Sequence, residues 1–331
     1  MVVYRNSITF NRRIGRCIRN YEIVSILGKG GNGIVYKVKN TESMIEYALK
    51  MSIRDFSTEN SVIMQEVDVL SKIGFLDSKN DAPILKVIES FIHDSKLCMV
   101  FPLMGESIAR VLDNPQFKHF KREQIQHIGY QIFQGLNFLH RHGITHTDFK
   151  ADNVMFTTSS TYTEIRIIDV GNARFDHQDH NIEISGRESQ APEILLDYGY
   201  NTCSDIWAAG VVLFEMWCGE VLFHSESRAV RLAIMEHVLG PAPVAYVSGN
   251  QYYPNGVLET GSSDQEKEYI RYKYKPLDKY VAREDGDPDE QFINLMRCLW
   301  EWEHHRRLPA SQLLFHPFFD GMSDVYGEGY E

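Results

Sequence analysis

Residues 28–38 read Gly-Lys-Gly-Gly-Asn-Gly-Ile-Val-Tyr-Lys-Val. Gly28, Gly30 and Gly33 stand at G-x-G-x-x-G spacing, and glycines so placed let backbone amides close over a phosphate with no Cβ in the way. The element after the glycines decides the fold. A dinucleotide-binding βαβ unit needs a helix there, whereas Ile34–Val38 reads as strand. A phosphate-covering hairpin and a plain flexible turn are the two readings that remain, and the motif alone leaves both open.

Outward from this stretch the chain changes character once. Strands are expected at Tyr21–Leu27, Ile34–Val38, Glu46–Met51, Pro83–Ile92 and Lys96–Phe101. One helix interrupts them within Asn60–Ile73, where Val62, Ile63, Val67, Leu70 and Ile73 recur at helical spacing. Ser57 or Thr58 is its expected cap. From about Met104 helices dominate. Arg122–His142 carries Ile125, Ile128, Ile132, Leu136 and Leu139 on one face and stops at Gly143. Asp205–Cys218 is apolar nearly all round and should be buried. Arg228–Leu239 and Asp289–Glu301 are further helices, and Ser248–Ser263 is a loop. The expected fold is α+β and two-lobed: a small antiparallel β lobe with one helix, 21–104, then a larger mainly helical lobe, 105–320, with a hinge near Phe101–Gly105. Residues 1–20 form a basic extension with an extra strand at Ile8–Phe10, and 321–331 a tail.

Composition narrows the partners. With 43% hydrophobic and 24% charged residues the chain is ordinary for a globular protein. Its longest uncharged apolar run, Ile206–Phe214, is far short of a membrane span. Five scattered cysteines argue for reduced thiols rather than a disulfide framework or a zinc site. A net charge of −11 disfavours nucleic acid as a partner and is compatible with a basic peptide. Residues 1–20 run against that trend, with Arg5, Arg12, Arg13, Arg16 and Arg19 and no acid. A targeting segment and an ordered strand with a basic face both fit them.

Four further motifs carry chemistry. Lys50 ends Tyr47-Ala-Leu-Lys50, a strand in which a flanked ammonium is costly unless it meets anions. Phosphates and the carboxylate of Glu66, on the next helix, can supply them; alone, Lys50 also fits a snorkelling edge-strand residue. His146-Thr-Asp148-Phe-Lys150-Ala-Asp152-Asn153 packs carboxylate, ammonium and amide into a short loop. Ile167-Ile-Asp169-Val-Gly171 places an acid at a strand end, a setting for a hard metal ion. Ala191-Pro192-Glu193 comes about twenty residues later. Each alone is a common turn or a polar surface; the five together, in this order, are not.

Over roughly Tyr21–Asp320 the chain resembles eukaryotic protein kinases, and more narrowly the LAMMER or CDC-like (CLK) dual-specificity group. His146-Thr147-Asp148 replaces His-Arg-Asp, Leu232-Ala-Ile-Met-Glu-His237 is similar to the LAMMER signature at four of six letters, and Tyr252–Tyr280 looks like the group's insert, within 241–283. The resemblance implies transfer of the γ-phosphoryl group of Mg·ATP to Ser, Thr or Tyr of protein substrates. It implies that Gly28, Gly30 and Gly33 cover the phosphates, and that Val35, Ala48 and Met155 sandwich adenine. Phe101 would be the gatekeeper, with Pro102 and Met104 meeting the adenine edge. Lys50 and Glu66 would pair beside ATP, Asn153 and Asp169 hold Mg²⁺, Asp148 receive the hydroxyl proton, and Lys150 neutralise the migrating group. Asp205 would brace the catalytic loop and Glu193 pair with Arg307, while Leu70, His146 and Val170 belong to a packed column. Arg/Ser-rich splicing factors are the implied substrates of a nuclear or cytoplasmic monomer that uses neither nucleic acid nor membrane; the negative net charge makes Asp152 and Glu106 candidate contacts for their arginines.

The departures shape further expectations. Thr147 stands where many kinases have an arginine that reads a loop phosphate, so activity should not depend on loop phosphorylation. Val170 replaces the usual Phe. Gly186, Ser189 and Gln190 stand where the group has Thr, Tyr and Arg, which bears on the floor around the acceptor and on Tyr transfer. A kinase-like scaffold without catalysis and a kinase with chromosomal or cytoskeletal substrates are the rival readings.

Overall fold

The computed structural model describes residues 15–31, 33–56, 61–117, 119–158, 162–178, 189–259, 264–281 and 289–327. Ile8–Phe10, Ser57, Thr58 and Gly186 lie outside them. The chain divides into two compact units. The first runs to Gly105 and takes in Ile168–Asn172; the second comprises Glu106–Ile167 and the chain from Ala173 on. Five residues of the span expected for the helical lobe thus group with the β-rich unit.

The first unit holds an antiparallel sheet in the order β1-β2-β3-β4-β6-β5. Its strands are β1 (Cys17–Ile18), β2 (Tyr21–Lys29), β3 (Gly33–Asn40), β4 (Glu46–Ser52), β5 (Glu89–His93) and β6 (Lys96–Pro102). Register sorts the side chains by the period of two. Ile34 pairs with Met51 and Met51 with Cys98; Tyr36 pairs with Leu49 and Leu49 with Val100. These residues join Tyr21, Ile23 and Phe91 in a buried core on one face. The opposite face carries Val35 paired with Lys50, Lys50 paired with Met99, and Ala48 paired with Phe101. The alternation that builds the core therefore sets Val35, Ala48, Lys50 and Phe101 together on the other side.

Two strand expectations need correction. Pro83–Ile92 is not one strand: the strand is Glu89–His93, with a lone bridge at Ile84 before it. The Asp77 carboxylate accepts from the amides of Asp81 and Ala82, at 2.9 and 3.2 Å, and holds the preceding chain in a turn. Strand β1 is two residues long, too short to give a periodic signal. The helix α1 (Ser61–Leu76) comes after β4. It buries Glu66, Val69, Leu70 and Ile73, one helical face.

In the second unit, α2 (Arg122–Arg141), α3 (Thr202–Cys218), α4 (Arg228–Leu239), α5 (Asp264–Lys273) and α6 (Glu290–Leu299) are the long helices among the described residues. Asn201 caps α3 by accepting from the amide of Cys203 at 2.8 Å, and Gly219 ends it in the left-handed region at φ 75°. At Gly210 a Cβ would lie 2.7 Å from Trp300 Nε1, so only glycine lets α3 approach Trp300 this closely. The apolar run expected to be buried is buried, Ile206 to Phe214 included. Asp289 proves to be the cap of α6, accepting from the amide of Phe292 at 2.9 Å, rather than its first turn. Strands β7 (Ile144–Thr145), β8 (Val154–Phe156), β9 (Ile165–Ile167) and β10 (Arg174–Phe175) form two short ladders, β10 with β7 and β8 with β9.

Candidate active site

Lys50 lies in mid-strand on the non-core face of the sheet. Its Nζ stands 2.5 Å from Glu66 Oε1 and 3.0 Å from Asp169 Oδ1. Three groups separated by up to 119 residues in sequence thus meet within one unit. Burial pulls the lysine pKa down, but the charges of Glu66 and Asp169 outweigh it and hold the ammonium above its ordinary value. Asp169 has φ 57°, a conformation unusual outside glycine, and its side chain is the more exposed of the two carboxylates, at 41% against 10%. Helix α1 packs on the turn Val170–Asn172, where a Cβ on Gly171 would come within 3.3 Å of the Glu66 carboxylate. A close backbone approach therefore helps to set the Glu66 side chain.

The glycines divide. At Gly33 an added Cβ would lie 2.9 Å from the Met51 carbonyl oxygen, so glycine there serves the sheet itself. At Gly28 and Gly30 it would meet no described atom within 4 Å, and neither residue has positive φ. The Gly30 amide closes the turn onto the Gly33 carbonyl at 2.9 Å. Neither packing nor backbone conformation among the described residues accounts for Gly28 and Gly30. Phe101 is nearly buried, Pro102 is exposed, and Met104 is half-buried.

The second unit builds its loop on Asp205 from α3. One carboxylate oxygen, Oδ2, accepts from the His146 amide at 2.7 Å and faces His140 Nε2 at 2.9 Å; the other accepts from the Thr147 amide at 3.0 Å. These bonds fix Thr147 at φ 67°, a left-handed conformation that a β-branched residue seldom takes. Beyond this turn Asp148 is buried, with Lys150 Nζ at 3.0 and 3.2 Å from its two oxygens. Asn153 Nδ2 donates to the Asp148 carbonyl at 2.8 Å, which leaves Asn153 Oδ1 as the atom available to a ligand. Met155 is in β8 and bridges to Ser107. Asp152 and Glu106 are both exposed. Sequence reasoning missed His140; its signal is only a basic residue in the last turn of α2, and its partner is 65 residues away.

Glu193 and Arg307 form a bidentate pair at 2.6 and 2.6 Å with both side chains buried, and Ser204 Oγ donates to Glu193 at 2.9 Å. Burial would raise the carboxyl pKa, but Arg307 holds it below the ordinary value. Gln190, just before this motif, accepts from Arg231 Nη1 at 2.9 Å, a buried contact that the sequence does not suggest.

No helix among the described residues is long and apolar enough to cross a membrane. The protein kinase domain family model matches residues 21–319. The dual specificity protein kinase CLK2 of Mus musculus is 31% identical over 90% of this chain and 64% of its own length. The serine/threonine-protein kinase Doa of Drosophila melanogaster is 31% identical over 91% of this chain and 39% of its own length. The chain thus spans less than two thirds of either relative. The crystal structure of the PF14_0431 kinase domain superposes with a TM-score of 0.83 at 25% identity, over 93% of this chain and 97% of that one. A family match that runs from β2 to Phe319, with CLK2 and Doa beside it, leads to one statement of kinship: the chain belongs to the protein kinase domain family.

Proposed function

We propose that this chain transfers the γ-phosphoryl group of ATP to Ser or Thr of protein substrates, with Tyr as a further acceptor, and that Arg/Ser-rich proteins are its substrate class. One observation carries the reading: a charged lysine on a sheet face shared with Val35, Ala48 and Phe101, held between two carboxylates of which one is largely accessible. Lys50 and the amides of the Gly28–Gly33 turn would bind phosphates, and Val35, Ala48, Phe101, Pro102, Met104 and Met155 the adenine. Asn153 and Asp169 would hold a magnesium ion: both offer the hard oxygen donors it takes, and the Asp169 side chain is 41% exposed. When bound, magnesium supplies charge neutralisation between the phosphates.

The chain's own side chains would do the rest by placement. Asp148, fixed behind the Asp205-braced turn, would orient the acceptor hydroxyl and take its proton. Lys150, within reach of Asp148, would offset charge as the phosphoryl group moves. Asp152 and Glu106 would face arginines of the substrate. A monomer in the nucleus or cytoplasm completes the proposal. The test is γ-phosphate transfer to an Arg-Ser peptide beside an Asp148→Ala control. Transfer by the unaltered protein and its loss in the control is the expected result; a protein that binds nucleotide and transfers nothing would make it a scaffold.

A further inference from the structure

The segment around Ala191-Pro192-Glu193 is clasped from both sides by one helix. Ser227 caps α4, and the first turn after it presents Arg228 and Arg231, three residues apart and so neighbours on the helix surface. Arg231 Nη1 donates to Gln190 Oε1 at 2.9 Å, on the near side of the helical turn Pro192–Leu195. Arg228 Nη1 donates to Asp197 Oδ1 at 2.6 Å, on its far side. Between them Glu193 is tied to Arg307. The two clasps differ in weight. Arg228 and Asp197 are 37% and 56% exposed, a setting in which an ion pair contributes little. Arg231 is 3% exposed and Gln190 8%. A buried guanidinium needs acceptors, and an acceptor placed opposite it is strongly held.

We infer that Arg231 is a positioning residue for the substrate-binding segment: through Gln190 it fixes the chain that leads into Ala191, so that the acceptor peptide meets a preformed floor. Nothing in the kinase family match assigns it that role, and it is not a group that touches reacting atoms. The inference rests on the phosphoryl-transfer reading for its functional consequence but not for its structural one. It makes position 190 sensitive to sign. A guanidinium there would face a second guanidinium in a buried place; a carboxylate there would face an opposite charge.

The experiment compares Gln190→Glu, Gln190→Arg, and the exchange Gln190→Arg/Arg231→Gln, which restores one guanidinium and one amide with their places reversed. Two readouts are taken on full-length protein: peptide KM beside ATP KM, and amide hydrogen exchange over 189–196. Gln190→Glu should keep peptide KM within about twofold and slow exchange. Gln190→Arg should raise peptide KM about tenfold or more, with ATP KM little changed, and speed exchange locally. The exchange variant should recover most of both. Should Gln190→Arg fail to fold, recovery of folded protein in the exchange variant carries the same information. If Glu and Arg at 190 behave alike, or the exchange variant is no better than Gln190→Arg, the inference is wrong. If the unaltered protein transfers no phosphate, the functional proposal falls, and hydrogen exchange alone decides whether Arg231 anchors the segment.

Discussion

Single residues separate two jobs that the sequence motif runs together. Gly28, Gly30 and Gly33 look equivalent in G-x-G-x-x-G, yet only at Gly33 would a side chain strike backbone, 2.9 Å from the Met51 carbonyl. Gly33→Ala should therefore lower stability by about 1–3 kcal/mol. Gly28→Ala and Gly30→Ala should leave the unfolding midpoint unchanged and raise ATP KM roughly two- to tenfold, about the loss of one hydrogen bond. Urea unfolding and ATP titration on the three variants check this; equal loss of stability in all three would refute it. Glu193 gives a pH signature. Its folded pKa lies below the ordinary 4.5, so its stabilisation is fully present above that value and fades as pH falls through the depressed one. Glu193→Gln should cost about 3–5 kcal/mol at neutral pH, since it leaves Arg307 buried without its charge partner. The gap between the two proteins should close only below about pH 4. A gap that stays constant with pH would show that packing, not charge, holds the pair. The pairing of Lys50 with Glu66 could be read from a flanked strand lysine followed by a helix carboxylate, whereas that of Glu193 with Arg307 was legible only through the family likeness. Nothing local in Glu193 points to Arg307, 114 residues on.

Whole elements were legible where periodicity is strong. The face of α2 and the all-apolar middle of α3 announce burial without ambiguity, and β3, β4 and β6 emerge from their strand pattern. What escaped was set by tertiary or very short contacts: β1, two residues paired to β2, and the turn before β5, fixed by a single carboxylate. The LAMMER-like stretch on α4 is a case in which the element explains the motif. Leu232, Ile234 and Met235 are buried, while Glu236 Oε1 accepts from the Ala242 amide at 3.1 Å and the Tyr253 hydroxyl at 3.3 Å, and His237 Nε2 lies 2.9 Å from the Tyr274 carbonyl oxygen. The end of α4 thus fastens three points of the chain that follows it, Ala242, Tyr253 and Tyr274. Burial, with Glu236 nearby, pushes the Tyr253 phenol pKa upward, in keeping with its buried, hydrogen-bonded place. Glu236→Ala should cost about 1–3 kcal/mol and speed amide exchange over 242–253 while leaving peptide kcat within about twofold. A fall in kcat with unchanged exchange would mean that the motif acts on catalysis directly.

For the molecule as a whole, net charge and internal anchoring bear on regulation. A chain at −11 with exposed Asp152 and Glu106 should bind an arginine-containing peptide less tightly as salt rises. Peptide KM should climb at least about threefold between roughly 0.05 and 0.5 M salt, while a peptide with neutral residues in place of arginine stays flat. A flat response for both would remove charge from the recognition argument. Regulation depends on what already holds the two loop segments in place. Kinases that depend on loop phosphorylation use a basic side chain beside the catalytic aspartate to gather the new phosphate. Here that neighbour is Thr147, and its amide and that of His146 are both bonded to Asp205. Further on, Arg231, Arg307 and Arg228 already grip Gln190, Glu193 and Asp197. These described residues are thus anchored by bonds that need no phosphate. Protein treated with a broad phosphatase should therefore keep peptide phosphorylation within about twofold of the untreated enzyme. A loss of about tenfold that returns on incubation with ATP would show that a phosphate supplies order the described bonds do not, and would place control of the proposed activity in the loop rather than in its anchors.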